Sequence, residues 1–235
     1  MQRLSRSPKW PQCVGWIVFV SVVLMAIPIG AEGPSAQQLL VDKARITLDR
    51  FRDDPGMKEF LREMSRDSRG LFIMPEFMRG AFVIGGAGGR GVLLVRQEGA
   101  DQWSGPVFYT VASASFGLQA GADITEVVLV IKTQKGVEEF YKKNFKLGVN
   151  AGMAVGPVGS GSSVHGITPD MVSYGLKKGA FVGIAVDGAL VTVSDDSNAA
   201  YYGKELEPTD IIMKKEGNNP ASQDLRRAAA SLMPQ

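Results

Sequence analysis

The sequence has almost no cysteine or histidine, two residues from which many enzyme and metal sites are built. Cysteine occurs once, at Cys13, and histidine occurs once, at His165. A single histidine without further histidine or cysteine partners leaves the common metal sites without ligands, so we predict no metal and no cofactor. A serine hydrolase triad would have to use His165, and the sequence contains no G-x-S-x-G motif. We therefore predict a protein that is not an enzyme, with a hydrolase that uses His165 as the enzymatic alternative.

The sequence also lacks an excess of charge of one sign. It holds 26 Lys and Arg against 24 Asp and Glu, which gives a net charge of +2. Three of the basic residues, Arg3, Arg6 and Lys9, precede the first apolar stretch. Without them the chain is close to neutral, so no general electrostatic attraction to nucleic acid is expected. Any attraction to an anionic partner must come from a local patch.

The N-terminal segment has the pattern of an export signal. Residues 1–13 are polar and basic, and Val14 to Ile29 form an uncharged apolar run. This run is shorter than the roughly 20 residues that span a bilayer comfortably. We predict that residues 1–31 are a signal peptide cleaved after Ala31, which delivers the chain to the periplasm or cell envelope. An uncleaved N-terminal membrane anchor is the alternative.

Helices are predicted before strands along the rest of the chain. Apolar residues recur at helical spacing over Ser35 to Asp53, and Asp54-Pro55 is a second helix start that runs to Gly70. From Leu71 onward, short apolar runs alternate with many of the 28 glycines, as in antiparallel hairpins. One further helix is predicted from about Lys135 to Asn144.

These elements predict an α+β domain over residues 32–217. It has N-terminal helices within 32–69, followed over 70–217 by a strongly curved, mostly antiparallel glycine-rich β-sheet with one further helix. Residues 218–235 are predicted to be a polar C-terminal tail with a short helix.

The glycine run from Gly86 to Gly91 matches G-x-G-x-x-G literally. A dinucleotide site needs a helix to begin there, but the strand-like Val92 to Val95 follows instead. The other motifs of a protein kinase are also absent from the sequence. We therefore predict that this run is a hairpin turn with a structural role and no nucleotide.

The densest mixture of aromatic and basic side chains lies between Phe140 and Lys146. In a membrane contact, Tyr141 and Phe145 would insert as apolar wedges, and the lysines would meet lipid phosphates. Those lysines are Lys142, Lys143 and Lys146. The alternative is that the aromatic residues belong to the core and the lysines are solvated.

A second basic candidate lies on the predicted second helix. Lys58, Arg62 and Arg66 follow one another at i,i+4 steps and would form one line beside an acidic line. The alternative is an exposed helix stabilised by ion pairs between the two lines.

Three stretches of the sequence together resemble the SYLF family, which includes yeast actin-binding members. They are RGLFIMP at Arg69–Pro75 with GAFVIGG at Gly80–Gly86, SFGLQAGA at Ser115–Ala122 with EVVLV at Glu126–Val130, and KGAFVGI at Lys178–Ile184 with NAAYYG at Asn198–Gly203. In order and spacing they cover most of residues 69–212. The resemblance implies lipid binding, with phosphoinositides in eukaryotic members and actin association in some, and it implies no catalysis.

The sequence differs from the eukaryotic pattern by its predicted export signal and by having no SH3 or FYVE neighbour. Actin and phosphoinositides are therefore not the expected partners, whereas a bacterial envelope offers anionic phospholipid. We expect a non-catalytic lipid-binding domain of the bacterial cell envelope that contacts anionic phospholipid or a membrane surface. The alternative is a structural or interaction module with an envelope protein as its partner and no lipid ligand.

Overall fold

The computed structural model of the protein describes residues 34–57, 68–81, 84–97, 102–116, 121–155, 169–177 and 180–232. Pro34–Gln235 form one compact unit. In the parts of the chain just given, no helix is both long and apolar enough to cross a bilayer. The predicted signal, the basic line of the second helix (Lys58, Arg62 and Arg66) and His165 lie outside the described residues.

The first helix, α1, runs from Ala36 to Asp53 and confirms the predicted helix. It begins where the Ser35 hydroxyl accepts a hydrogen bond from the Gln38 amide at 3.1 Å, which caps a free backbone donor. Its apolar stripe, which includes Leu48 and Phe51, is fully buried. The helix therefore gains most of its stability from packing against the sheet.

Within the described residues, nine strands form a single, mostly antiparallel sheet, which together with the helices confirms the α+β prediction. The order is β5-β9-β3-β2-β1-β4-β7-β6, with β8 also paired to β7. The strands are β1 (Gly70–Ala81), β2 (Ile84–Val95), β3 (Val107–Phe116), β4 (Gly121–Ile131), β5 (Asn144–Lys146), β6 (Met153–Val155), β7 (Met171–Lys177), β8 (Ala180–Val182) and β9 (Leu190–Val193). The helices described after α1 are α2 (Gln134–Glu139), α3 (Asp195–Tyr202), α4 (Pro208–Ile212) and α5 (Gln223–Ser231), with a 3₁₀ turn at Pro220–Ser222.

The predicted hairpin turn at Gly86 to Gly91 is wrong, because these residues form the middle of β2. Their lack of a side chain allows the neighbouring strands to approach closely. A Cβ on Gly88 would lie 2.7 Å from the Val111 carbonyl oxygen, and one on Gly91 would lie 2.8 Å from the Phe72 ring. The register of β1 also shifts between Ile73 and Met78. The glycines thus allow long, strongly coiled strands where we expected short ones.

The sheet curls until its two edges are close together. Only residues 147–152 separate β5 on one edge from β6 on the other, and the seven residue-to-residue steps from Lys146 to Met153 span at most about 25 Å. The inner face of this half-barrel holds an aromatic cluster of Phe72, Tyr109, Phe140 and Phe145. The Phe140 and Phe145 ring centroids are 4.8 Å apart. The short helix α2 places Phe140 in that interior.

The outer face of the sheet is covered by α1, α3 and α5, which share a second core. Residues 218–232, predicted as a polar tail, complete this core instead. Leu225 and Ala229 of α5 are buried, and α5 packs against α1. The RRAAASL segment looks polar in sequence because only four residues form the apolar face of its helix. That face packs against the second core.

Candidate functional site

The predicted contact segment does not present its aromatic residues together. Phe145 lies on β5 with its side chain in the inner core and is 5% exposed. The structure therefore corrects its expected role as a membrane wedge: β5 alternates exposed, buried, exposed, and Phe145 is the buried position. Tyr141 is half-buried and packs against the same core.

Two of the three lysines in this segment are held by carboxylates. Lys142 Nζ lies 2.6 Å from Glu139 Oε1. Burial acts to raise the pKa of Glu139, but hydrogen bonds from Lys142 and Asn150 outweigh it, and the pKa lies below its ordinary value. Lys143 lies 3.4 Å from Glu207, whose hydrogen bond raises the pKa of the lysine. Lys146 is exposed and forms no ion pair within the described part of the chain.

A larger candidate surface lies on the outer face of the sheet, beyond the edge of α1. Residues paired across antiparallel strands share a face, so the register defines continuous rows. One row crosses five strands through Leu190, Ala112, Gly88, Met78 and Ile124. The three large side chains of this row are exposed: Leu190 by 41%, Met78 by 56% and Ile124 by 58%. This is the largest aligned set of exposed apolar residues within the described structure.

The next exposed row continues the same face toward the hairpin ends. It consists of Ala114, Gly86, Gly80 and Ala122, which pair in that order and are all exposed. We call the two rows together the apolar shelf. The shelf holds no charged residue, and contiguous exposed apolar surface of this kind marks an interaction site more often than isolated apolar residues do.

Two cations that form no ion pair with any described residue border the apolar shelf. Lys146 is the register partner of Leu190 and so extends the first row at the sheet edge. Arg90 follows Gly88 by two residues on β2, is exposed, and forms no ion pair among the described residues. Two carboxylates on the outer face beside the shelf are paired with helix α1: Glu76 with Lys43 at 2.8 Å, and Glu126 with Arg50. Asp123, which follows Ala122 in the chain, is paired with Lys177 at 3.1 Å. The border of the shelf is therefore net positive.

Helix α1 forms a lip along the inner margin of the shelf. A cavity of about 320 Å³ lies between its first turns and the sheet, with Leu39, Met78 and Arg90 in its lining. A second cavity of about 300 Å³, lined in part by Ile46 and Ile124, lies on the other side of the Lys43–Glu76 ion pair. Leu39 and Ile46 are 46% and 40% exposed. The helix thus adds apolar surface next to the shelf.

The described residues contain no group of three or more His, Cys, Asp or Glu side chains placed to hold a metal ion. The largest pKa perturbations fall on tyrosines in the cores. Burial raises the pKa of Tyr201 to about 12 and that of Tyr109 well above its ordinary value. Tyr109 donates its hydroxyl to the Phe140 carbonyl at 2.6 Å, which fixes the aromatic cluster. These groups have structural roles.

The apolar shelf was missed by the sequence reasoning, although one signal for it is visible in the sequence. Residues 80–89 and 111–122 contain no charged residue. Two uncharged stretches that are rich in glycine and alanine could have indicated a shared apolar surface.

Comparison with protein families gives the relationship of the chain. Residues 112–232 match the model of the Ysc84 family, described as Las17-binding protein actin regulator. The chain belongs to this family. The Ysc84 match confirms the SYLF resemblance inferred above, and the matched residues run from the shelf strand β3 through α5.

Several eukaryotic proteins are similar in sequence to this member of the Ysc84 family. LAS seventeen-binding protein 3 of Saccharomyces cerevisiae is 26% identical over 175 residues, which are 72% of this chain and 38% of the yeast protein. An SH3 domain-containing protein of Schizosaccharomyces pombe is 27% identical over 172 residues, or 70% of this chain and 39% of that protein. Human SH3 domain-containing YSC84-like protein 1 is 25% identical over 67% of this chain and 47% of its own length. The chain spans less than half of each of these relatives.

Proposed function

We propose that this protein is a non-catalytic lipid-binding module of a bacterial cell envelope, and that it contacts anionic membrane lipid through the apolar shelf. The observation that carries the proposal is the exposed row of Leu190, Met78 and Ile124, with Lys146 and Arg90 at its border and no ion pair to either cation from the part of the chain that the structure describes. A membrane surface requires this combination of apolar side chains to insert and cations at the level of the headgroups.

The magnitudes favour weak and reversible binding. Full burial of a Met or Ile side chain is worth about 1.5–3 kcal/mol, and Met78 and Ile124 are 56% and 58% exposed, so each contributes roughly 1 kcal/mol on transfer to lipid. Each of the two cations adds about 1 kcal/mol near an anionic surface. The sum of about 4 kcal/mol corresponds to roughly a thousandfold partition. Stable residence on a membrane would then need a second signal.

The test uses the compact unit Pro34–Gln235, which contains both cores, with sedimentation of phosphatidylglycerol-containing and of neutral phosphatidylcholine vesicles. We expect binding to the anionic vesicles and at least about thirtyfold weaker binding by the double variant Met78→Asp, Ile124→Asp, which loses about 2 kcal/mol of apolar transfer and adds two negative charges. Met213→Asp is the matched control, because Met213 is 64% exposed and lies outside the shelf. The proposal is wrong if wild-type protein does not bind, or if the double variant binds as well as the control.

The cations make a separate contribution that salt should reveal. Lys146→Ala and Arg90→Gln should each weaken binding to anionic vesicles and leave neutral vesicles unaffected. Molar salt should reproduce the effect on wild type, because the screening length falls to about 3 Å. Loss of anionic binding without any effect of salt would contradict the assigned role of these cations.

We further propose that residues 1–31 deliver the chain to the envelope. The support is the basic N-terminal region followed by the uncharged run from Val14 to Ile29. N-terminal sequencing of protein recovered from the envelope should give a start near Glu32. An intact Met1 on membrane-bound protein would contradict cleavage and favour an anchor. The family description names Las17 and actin, but delivery outside the cytoplasm would remove the chain from both, so neither is proposed as a partner.

A further inference from the structure

The cavity between the first turns of α1 and the outer face of the sheet combines apolar and polar side chains in its lining. We call it the α1 cavity. Its apolar lining includes Leu39 and Leu40 of the helix and Met78 of the apolar shelf. Its polar lining consists of Lys43, Glu76, Arg90 and Thr110, which come from α1, β1, β2 and β3. Such a lining fits an amphiphilic occupant, which has a polar group and an apolar part next to it.

The formal charges in the lining of the α1 cavity sum to one positive charge. Lys43 and Glu76 compensate each other through their ion pair at 2.8 Å. Arg90 is left as the uncompensated cation, because its side chain forms no hydrogen bond or ion pair with any described residue. The neighbouring cavity on the other side of the Lys43–Glu76 pair is neutral, since its lining adds Arg50 and Glu126 to that pair and omits Arg90. Of these two cavities, the α1 cavity is therefore the one that complements a monoanion.

Arg90 and Thr110 provide the donors that a phosphate ester requires. They are register partners on β2 and β3, so their side chains lie next to each other on the outer face. A guanidinium presents a rigid fork of N–H donors that matches two oxygens of a phosphate group. The Thr110 hydroxyl lies 3.0 Å from that of Ser194. When Ser194 donates this hydrogen bond, Thr110 keeps its own proton for the occupant.

The size and position of the α1 cavity indicate which part of a lipid it can hold. Its volume of about 320 Å³ is at the lower end of the range for small-molecule pockets, about 300–1,000 Å³. A headgroup fits such a volume, whereas a phospholipid with two long acyl chains does not. Met78 belongs to both the lining and the shelf, so the chains of a bound lipid can leave the cavity along the shelf. They stay in the bilayer, and Met78 and Ile124 keep the membrane contact of the proposed function.

We infer that the α1 cavity binds the phosphodiester headgroup of one anionic phospholipid, with the phosphate held by Arg90 and Thr110 and the ester chains passing Met78. This inference rests on the proposed lipid-binding function and adds a site of defined stoichiometry to the general attraction of the shelf. The single net charge of the lining favours a monoanionic headgroup such as phosphoglycerol. Phosphoethanolamine is disfavoured, because its ammonium group would add another cation beside Lys43 and Arg90. Inorganic phosphate shares the phosphate chemistry but has no apolar part for Leu39 and Met78.

The test titrates the unit Pro34–Gln235 with dihexanoyl phosphatidylglycerol as dissolved monomers and follows the backbone amide signals by nuclear magnetic resonance. The parallel probes are dihexanoyl phosphatidylethanolamine, glycerophosphoglycerol and inorganic phosphate. We expect saturable shifts with a single affinity at residues 36–40, Gly89 and Arg90, and no shift at Met213. Dihexanoyl phosphatidylglycerol should bind about fivefold more tightly than the phosphatidylethanolamine, which lacks the net charge. It should also bind more tightly than either probe without acyl chains.

Two variants separate headgroup recognition from general attraction to the membrane. Arg90→Lys keeps the charge but removes the guanidinium fork, so affinity for dihexanoyl phosphatidylglycerol should fall about tenfold, with a smaller effect on vesicle sedimentation. Ala36→Trp changes no charge and adds a large ring at an exposed position of the cavity lining. It should abolish the saturable shifts while sedimentation persists through the shelf and Lys146. Met213→Trp is the matched control, and urea unfolding checks that each variant is folded.

Equal affinity for inorganic phosphate and for dihexanoyl phosphatidylglycerol would overturn the inference, because it would indicate a site for free phosphate. Sedimentation without saturable shifts at the cavity residues would also overturn it, and lipid binding by the shelf would stand. Unchanged affinity in both Arg90→Lys and Ala36→Trp would move the headgroup to another surface. Failure of both sedimentation and titration would reject the proposed function itself.

Discussion

Replacing Gly91 with alanine should strongly destabilise the fold. Gly91 is buried in the middle of β2, and a Cβ there would lie 2.8 Å from the Ile73 carbonyl oxygen and 2.8 Å from two atoms of the Phe72 ring. The ring cannot move aside easily, because Phe72 is fully buried and packs at 5.2 Å from Phe140 and 5.8 Å from Tyr109. Strain of this kind in a close-packed core costs about 1–3 kcal/mol. We expect Gly91→Ala to lower the free energy of unfolding by about 3 kcal/mol, because the added Cβ would contact both the backbone and the ring.

The matched control is Gly86→Ala on the same strand. Its Cβ would meet nothing closer than the Ser113 carbonyl oxygen at 3.8 Å, which is an ordinary contact, and Gly86 is exposed. Neither Gly86 nor Gly91 has a positive φ, so neither needs the conformational freedom of glycine for its backbone. Alanine at Gly86 should therefore be neutral or stabilise by about 0.4–1 kcal/mol through the unfolded state.

Urea unfolding of both variants, followed by far-ultraviolet circular dichroism, measures the difference. The urea concentration at the midpoint of unfolding should be lower for Gly91→Ala. The slope of the unfolding free energy against urea concentration should stay the same, because a change in slope would indicate a different unfolded or native state. A loss below about 1 kcal/mol for Gly91→Ala would refute the close approach of β1 to β2. Equal losses at both positions would show that alanine is generally unfavourable in this strand, and the argument from crowding would fail.

Three further outcomes follow from particular contacts. Lys142→Ala should lower the free energy of unfolding by about 1–2 kcal/mol, because it leaves the buried Glu139 without its cation, and it should leave vesicle binding unchanged, in contrast to Lys146→Ala. Because the pKa of Glu139 is lower in the folded state, the unfolded chain takes up the proton first as the pH falls. The stability advantage of wild type over Glu139→Gln in urea unfolding should be full at pH 7, begin to fall near the ordinary glutamate pKa of about 4.3, and disappear only below the lower pKa of the folded state. Gly80→Glu should keep the wild-type unfolding midpoint, since a Cβ there meets nothing within 4 Å, but should reduce sedimentation with anionic vesicles.

The elements that could be predicted from sequence are those set by local signals. Helix α1 was predictable because Ser35 caps it and its apolar residues repeat at helical spacing. The curved antiparallel sheet was predictable in kind from the many glycines between apolar runs. The strand lengths were not, because a glycine that ends a strand and a glycine that allows close strand approach look the same in one sequence. The decisive neighbours of Gly91 are Phe72 and Ile73, about twenty residues away.

The site illustrates the same limit. Phe140 to Lys146 attracted attention because its residues are adjacent in sequence, but they divide between a helix end and a strand whose middle residue, Phe145, points inward. Met78 and Ile124 are 46 positions apart, and only the register of β1 with β4 brings them together. Lys146 alone belongs to both the predicted segment and the border of the shelf. Surfaces made by cross-strand register are invisible to a reading of local patterns, since a shift of one residue would turn every side chain to the other face.

Glycine has two different roles in the neighbouring strands β1 and β2, and the two roles separate the fold from the proposed contact. At Gly88, Gly89 and Gly91 a Cβ would collide with the backbone or ring of a neighbouring strand, so these positions hold the sheet in its coiled form. At Gly80 and Gly86 a Cβ would meet no close neighbour, so packing does not require glycine there. A strand position that is free to carry a polar side chain, but carries none, needs an explanation other than folding. Contact with an apolar, interfacial environment supplies one, because there each added charge would raise the free energy of the bound state without changing the fold.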